Sequence, residues 1–332
     1  MKHIAIVAPC GQSNMSSVAC IVGAFEILSD ANLFWKKKGG RDSYKIEIVG
    51  ISDRTEFSNG LVTIKPHADI NTLQKTNLVV IPSLIRDYEQ ALEGNKLIVD
   101  WITRQYKQGA EIASMCTGAF MLAAAGLLNG KNCSTHWSAE NTFRTLFPGV
   151  HLKTHSTITY EAGIYTNGGA YSFLNLLIYL IEKYYDRQTA IYCSKLFQIE
   201  IDRQYQSGFS IFSGQKLHDD EEIRRAQEYI ESKISEKISI DEISSRLSIG
   251  RRNFDRRFIK ATGNSPLEYA QRVKVEAAKK AFENSRKTIH EVMYEVGYSD
   301  LKAFREVFRK ITGMSPLAYR SRYNKEIDVP RK

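Results

Sequence analysis

Residues 254–269, FDRRFIKATGNSPLEY, return fifty positions later at 304–319 as FREVFRKITGMSPLAY. Phe254, Phe258, Lys260, Thr262, Gly263, Ser265, Pro266, Leu267 and Tyr269 stand opposite Phe304, Phe308, Lys310, Thr312, Gly313, Ser315, Pro316, Leu317 and Tyr319. So dense a match constrains the fold more than any other stretch, because whatever one copy forms the other must form too. Ahead of the copies stand Ser239-Ile240-Asp241-Glu242 and Thr288-Ile289-His290-Glu291, the S/T-x-x-E pattern in which a hydroxyl and a carboxylate cap a helix start reciprocally. A short helix is therefore predicted from Ile240 to Leu247 and again from Ile289 to Val296. Turns follow at Ser248 to Gly250 and at Gly297 to Ser299. The paired Phe residues, at i and i+4, mark the inner face of a second helix. That helix should stop at Gly263 or Gly313, where glycine can turn left-handed, and Ser-Pro opens the next segment. The unit is a helix-turn-helix, present twice, at about 239–263 and 288–313.

A chain of 332 residues is long for one hydrophobic core, so two domains are expected. The formal charge of +9 is uneven: residues 1–215 hold 20 Lys+Arg against 18 Asp+Glu, and residues 216–332 hold 26 against 19. The basic excess sits with the repeat. Cys10, Cys20, Cys116, Cys133 and Cys193 form no C-x-x-C pair and leave an odd one. Neither a zinc site nor a disulfide framework is suggested, and a reducing cytoplasm fits best. The histidines show no metal-ligand spacing, so no metal or other cofactor is expected. The apolar runs Ile4 to Pro9 and Phe173 to Ile181 fall short of a membrane span, so neither export nor embedding is expected.

Up to about Glu200 the chain alternates strands with helices. Ile4 to Ala8, Tyr44 to Ile51, Leu78 to Pro82 and Glu111 to Met115 are short apolar runs bounded by turn residues, as buried parallel strands are. Ser16 to Leu33, Lys96 to Gln108, Tyr171 to Tyr185 and Thr189 to Gln198 carry helical spacing. The pattern implies an α/β domain with a doubly wound parallel sheet. Asp202 to Leu217 breaks the periodicity and reads as a linker, with Phe209, Ile211 and Phe212 packing on something. A new helix begins with the acidic run after Asp219.

Binding and chemistry in such sheets gather at the carboxyl ends of the strands. Cys116 stands directly after a predicted strand and before a Gly-containing helix start, the setting of a nucleophile elbow, where helix-end N–H groups favour a thiolate. The plainer alternative is a small buried thiol at a strand end.

CTGAFMLAAAGLLNGKNCSTHW from Cys116, FPGVHL from Phe147 and TNGGA from Thr166 resemble the amidase-type transcriptional regulators of the AraC/XylS family. Their N-terminal domain is similar to the ThiJ/PfpI and class I glutamine amidotransferase superfamily, which implies a flavodoxin-like fold. Cys116 falls at that superfamily's elbow cysteine and His136 at its partner histidine, while Gly23 and Glu26 match a helix motif of the regulators. Catalytic members place a carboxylate near the end of the first strand, yet nothing from Pro9 to Phe25 is acidic. Cys20 and Asn175 stand where the regulators usually carry Asp. A thiol nucleophile needs its base, orienting group and oxyanion donors together. Cys116 and His136 thus have three readings: a catalytic dyad, the wall of an effector pocket, or a structural remnant. The second is adopted, with Cys116, Thr117, His136 and Cys10 as pocket residues and no enzymatic activity expected. The resemblance implies a small nitrogenous effector, an amino acid or amine, and a homodimer.

The doubled helix-turn-helix followed by Gly-x-Ser-Pro-Leu-x-Tyr resembles the AraC/XylS DNA-binding domain, which implies seven helices and double-stranded DNA as partner. The second helix of such a unit enters the major groove with its N-terminal residues toward base edges. In the first copy these are Arg251, Arg252, Asp255 and Arg256, and in the second Leu301, Lys302 and Arg305. Arg252 and Arg256 are assigned to guanine edges, Asp255 to cytosine or to orienting Arg252, and Leu301 to a thymine methyl. Arg251 and Lys260 are assigned to phosphates. Between the units one helical pattern runs from Pro266 to Glu283, 18 residues. At about 1.5 Å per residue it is long enough to set two reading heads roughly one DNA turn apart.

The expected organisation is a sensing and dimerisation domain at 1–201, a linker at 202–218, a DNA-binding domain at 219–323 and a tail at 324–332. The function expected is a transcription regulator controlled by a small metabolite. Two rivals remain, a thiol-dependent amidase or hydrolase fused to a DNA-binding domain, and a first domain that only dimerises.

Overall fold

The structure, a computed structural model, describes residues 2–11, 14–41, 43–84, 87–201, 206, 209–216 and 218–324. Parts of the expected linker (202–205, 207–208 and 217) and residues 325–332 of the expected tail lie outside the described residues. The chain divides into two compact units, Met1–Gln206 and Ser207–Lys332.

The N-terminal unit is built on a seven-stranded sheet in the order Ile158–Glu161, Ile164–Asn167, Glu111–Ser114, Leu78–Ile81, Lys2–Val7, Tyr44–Gly50, Ala68–Asp69. Ile4 to Val7 and Leu78 to Ile81 are fully buried, as strands covered on both faces must be. Alternate residues feed two cores. Ile4, Ile6, Leu78 and Val80 face the helices Met15–Lys37, Phe173–Tyr184 and Arg187–Leu196, whereas Ala5, Val7, Val79 and Ile81 face Lys96–Lys107 and Ala119–Ala124. Six strands are parallel and the seventh, Ile158–Glu161, is an antiparallel edge. The parallel α/β sheet expected from sequence is present, and this strand adds an antiparallel edge to it. The hairpin turns through Ala162 and Gly163, both left-handed at φ 51° and 76°. Two-residue hairpin loops need that geometry, but Ala-Gly is a weaker signal for it than Asn-Gly.

Met15–Lys37, at 23 residues, is by length and composition alone apolar enough to cross a membrane. In this fold Ile21, Ala24, Leu28 and Ala31, at i, i+3, i+7 and i+10, are fully buried in the core on that side of the sheet.

The C-terminal unit has seven helices among the described residues: Glu221–Ser232, Ile240–Arg246, Arg251–Thr262, Pro266–Asn284, Ile289–Glu295, Leu301–Thr312 and Pro316–Tyr323. The repeated residues are its scaffold. Phe254, Phe258 and Tyr269 centre one core, and Phe304, Phe308 and Tyr319 a second. The Phe258–Tyr269 and Phe308–Tyr319 rings meet edge-on at 5.4 and 5.5 Å. Burying each such ring contributes about 1.5–3 kcal/mol. Gly263 and Gly313 end the second helices at φ 70° and 76°, as the Thr-Gly signal predicts. Of the two predicted capping boxes, Thr288 and Glu291 form both bonds. In the first copy Ser239 accepts from the Glu242 N–H, but the Glu242 carboxylate accepts from the Tyr229 hydroxyl at 3.4 Å instead of returning to the cap. Pro266–Asn284, 19 residues and roughly 28 Å long, joins the two cores.

Candidate functional site

Two places carry the residues singled out by sequence. On the helix Arg251–Thr262, Phe254, Phe258 and Thr262 face inward while Arg251, Arg252, Asn253, Arg256 and Lys260 are exposed. Gly250 caps the helix without a side chain, and no acid stands in its first turn. The Arg252 side chain makes no hydrogen bond or ion pair with any described residue, so its guanidinium is unengaged at the start of the helix. Arg251 is held on two sides, by Asp241 at 2.6 Å and Asp255 at 3.0 Å. Asp255 therefore orients Arg251, not Arg252, because i,i+4 spacing stacks 251 over 255 and sets 252 over 256. Arg256 donates to Asn253 Oδ1 at 3.0 Å. Asn253 escaped the sequence reading; it lacks charge, and only its exposure beside Arg256 marks it as a candidate, an amide able to read adenine.

The helix Leu301–Thr312 starts differently. Asp300 caps it, its two oxygens accepting from the N–H groups of Lys302 and Ala303 at 3.0 and 3.2 Å. Lys302 and Arg305 are exposed, whereas Leu301 is half-buried against that unit's core. An acidic side chain caps this helix, where a bare glycine caps its counterpart.

The second place is a cleft of about 240 Å³ in the N-terminal unit, whose lining includes Cys20, Tyr88, Cys116, Thr117, His136 and Tyr171. The strand Glu111–Ser114 ends there, and Cys116 turns left-handed at φ 55° to begin the short 3₁₀ turn Cys116–Gly118. For a residue other than glycine this conformation costs about 1–2 kcal/mol. Gly118 allows the turn to press on the neighbouring strand, since a Cβ there would lie 2.5 Å from the Pro82 carbonyl oxygen. The Thr117 hydroxyl holds the next loop, accepting from Leu84 N–H at 2.9 Å and donating to its carbonyl at 3.0 Å. His136 Nδ1 lies 2.7 Å from Ser138 Oγ. Thr135 Oγ1 donates to the Cys116 carbonyl at 3.1 Å and so joins the histidine loop to the elbow.

Cys116, Thr117 and His136 are thus brought together, but Cys10 is not among the residues lining this cleft. Its backbone is clasped by the Asn95 amide, N–H to Oδ1 at 2.7 Å and Nδ2 to its carbonyl at 2.9 Å. Glu26 is exposed and also stands apart from the cleft, whereas Cys20, earlier on the same helix, joins the wall. Asn175 lines a separate depression with Thr157 and Ile178. Burial pushes the Cys116 thiol up to about 12, with the neighbouring Cys20 adding to the rise and the Thr117 N–H and hydroxyl opposing it weakly. Of the two readings the sequence left open at this position, the buried thiol is favoured over the helix-end thiolate, since desolvation outweighs the N–H groups. Among the described lining residues there is no carboxylate and no Lys or Arg. The cleft offers a neutral thiol, hydroxyls, an imidazole and aromatic faces.

A DJ-1/PfpI family model matches residues 24–160, and a helix-turn-helix domain model matches residues 243–322. Along nearly the whole chain the protein is similar to the HTH-type transcriptional regulator GbdR of Pseudomonas aeruginosa, 23% identical over 297 residues, 89% of this chain and 79% of that protein. The HTH-type transcriptional regulator CdhR of the same species is 20% identical over 302 residues, 90% of this chain and 87% of that protein. Among solved structures, a protein from Vibrio parahaemolyticus described as a transcriptional regulator covers 59% of this chain and 98% of its own with TM-score 0.52 and 23% identity, a likeness of fold.

Proposed function

Because this chain belongs to the AraC-type transcriptional regulators, with a DJ-1/PfpI domain ahead of a DNA-binding helix-turn-helix domain, we propose that its cleft binds a small nitrogenous effector, an amino acid or amine, and that Cys116 acts there as a wall and not as a nucleophile. The observation that carries this reading is the lining itself. A thiol held neutral, with no carboxylate beside it among the described residues, is poorly suited to attack a carbonyl. Tyr171, 67% exposed, offers a ring of the kind that attracts an ammonium, Tyr88 and Phe173 add aromatic wall, and His136 offers a polar anchor. The two relatives matched along nearly the whole chain are named as transcriptional regulators, which supports a regulatory role for the protein.

On the DNA side Arg252, Arg256, Lys302 and Arg305 read bases, with Asn253 added. Arg251 and Lys260 meet phosphates, Asp255 steadies Arg251, and Leu301 contributes through packing. The sensing domain takes in Gln206 and the DNA-binding domain takes in residues 209–216, so the expected linker of 202–218 is divided between them, and the working form is a cytoplasmic homodimer. Two unequal reading heads per subunit gain specificity from a second copy. A thermal-shift panel of amino acids and amines, with His136→Ala as control, tests the effector reading. A stabilising compound whose effect is lost in the variant is expected; a panel that stabilises neither protein would favour a domain that only dimerises.

A further inference from the structure

Gln206 is the last residue of the N-terminal unit, and it is 1% exposed. Its Nε2 donates to the Thr135 carbonyl at 2.9 Å, its backbone N–H donates to the His155 carbonyl at 3.1 Å, and Ser134 Oγ lies 3.4 Å from the amide nitrogen. The socket depends on Gly168, where an added Cβ would come within 2.0 Å of Gln206 Nε2. Two of the three loops that make this socket also wall the cleft, the third being His155-Ser156. One is Thr135-His136, tied to the Cys116 carbonyl by the Thr135 hydroxyl. The other runs from Gly168 and Gly169 into Ala170, Tyr171 and Phe173, all three of which line the cleft. Gln206 Oε1 is buried without a hydrogen-bond partner among the described residues, so the seated arrangement leaves an acceptor unmet there. A peg that is incompletely satisfied is one that a change in its socket can release.

Only Ser207 and Gly208 separate the peg from Phe209, where a strap of residues 209–216 lies on the C-terminal unit. The Arg322 guanidinium stands 4.8 Å from the Phe209 ring, and Lys279 donates to the Ser210 carbonyl. The Phe212 N–H donates to Glu276 at 3.1 Å and its ring meets Tyr269 edge-on at 5.2 Å. Asn264 donates to the Gln215 side chain at 3.3 Å. The strap thus engages the last helix, the connecting helix and the end of the first reading helix.

We propose that Gln206 is the coupling residue of this regulator: occupancy of the cleft changes how the peg is seated, and the strap carries that change to the two reading heads. The inference rests on the reading of the cleft as the effector site. Coupling of this kind is reciprocal, so DNA bound to the C-terminal unit must in turn alter the cleft.

That reciprocity gives a test that needs no identified effector. The full chain is labelled with methyl methanethiosulfonate, a small neutral thiol reagent, with and without saturating DNA selected from a random pool, and the Cys116 peptide is followed by mass spectrometry. In the wild type DNA should change the Cys116 rate by about fivefold or more, the lower end of ordinary allosteric coupling. In Gln206→Leu, which keeps the volume and removes the donor, the DNA effect should vanish while affinity for the selected DNA and cooperative melting persist. Gly168→Ala, which crowds the peg from the opposite side, should give the same uncoupling and stands in if the first variant does not fold. An undiminished DNA effect in both variants, or a wild-type rate indifferent to DNA, would overturn the proposal. The effector reading fails separately, if the metabolite panel stabilises nothing while DNA still governs Cys116 through Gln206.

Discussion

Arg257 and Asp220 form a two-pronged ion pair, Nε to Oδ2 at 2.8 Å and Nη2 to Oδ1 at 2.5 Å. Arg257 lies on the first reading helix, and Asp220 caps the helix Glu221–Ser232, its side chain also accepting from the Ile223 N–H at 3.3 Å. One arginine of this basic helix is therefore engaged in fixing the helix in place. The Arg257 guanidinium and the Ile223 N–H hold the Asp220 carboxyl below the usual carboxylate range. The stabilisation is fully present above the unfolded value of about 4 and is lost as pH falls through the lower folded value. Asp220→Ala should cost about 1–2 kcal/mol at neutral pH, since a cap and a partly exposed pair are lost together. Urea unfolding followed by helical circular dichroism should show that deficit shrinking below about pH 4. A deficit independent of pH would mean that the charge contributes nothing.

Gly263 and Gly313 occupy the same left-handed position at the ends of the two reading helices. Gly263→Ala and Gly313→Ala should each destabilise by about 1–2 kcal/mol, the penalty of a Cβ in that conformation. Base preference should stay unchanged in both. A shift in preference would place these glycines in recognition and not in the scaffold.

On the connecting helix, Lys279 and Glu276 are paired at 2.7 Å with side chains only 5% and 11% exposed. Lys279→Ala leaves a buried carboxylate without its cation and should cost about 3–5 kcal/mol. Replacing the pair together, Lys279→Met with Glu276→Leu, should cost much less of the fold's stability. Hydrogen exchange should nevertheless quicken at the Phe212 N–H, whose acceptor is gone. Equal stability losses in the single and double variants would show that packing and not charge dominates there.

Cys116 provides a check on the chemistry of the cleft. Its alkylation by iodoacetamide should rise steadily with pH from 7 to 10 without a plateau, because the thiolate is rare throughout that range. A plateau below about pH 8.5 would restore the thiol-enzyme reading.

The doubled reading unit was legible because its signals are local. Capping hydroxyls, Phe pairs at i and i+4 and Thr-Gly stops each act within one turn of helix. The four central strands were legible as short apolar runs, and their ends fall within about two residues of expectation. The antiparallel edge was not, because Ile158–Glu161 is only partly buried and shows no clean alternation. The elbow position of Cys116 was legible from the strand and the Gly-containing helix start around it, yet its protonation follows from burial, which no linear pattern encodes. Cys10 stands at the end of the first strand, but strand-end position alone does not say whether a side chain faces the cleft. Likewise the partner of Asp255 depended on which neighbour the helix stacked over it, Arg251 and not Arg252.

The central claim is that each subunit reads DNA with two unlike heads held by one rigid helix. Selection of bound DNA from a random pool tests it directly, comparing wild type with Arg252→Ala. The account predicts two dissimilar short motifs in fixed order, about 10 base pairs apart, and loss of preference at one or two positions of one motif in the variant. Two identical motifs, or a variant that weakens binding to every sequence equally, would contradict it.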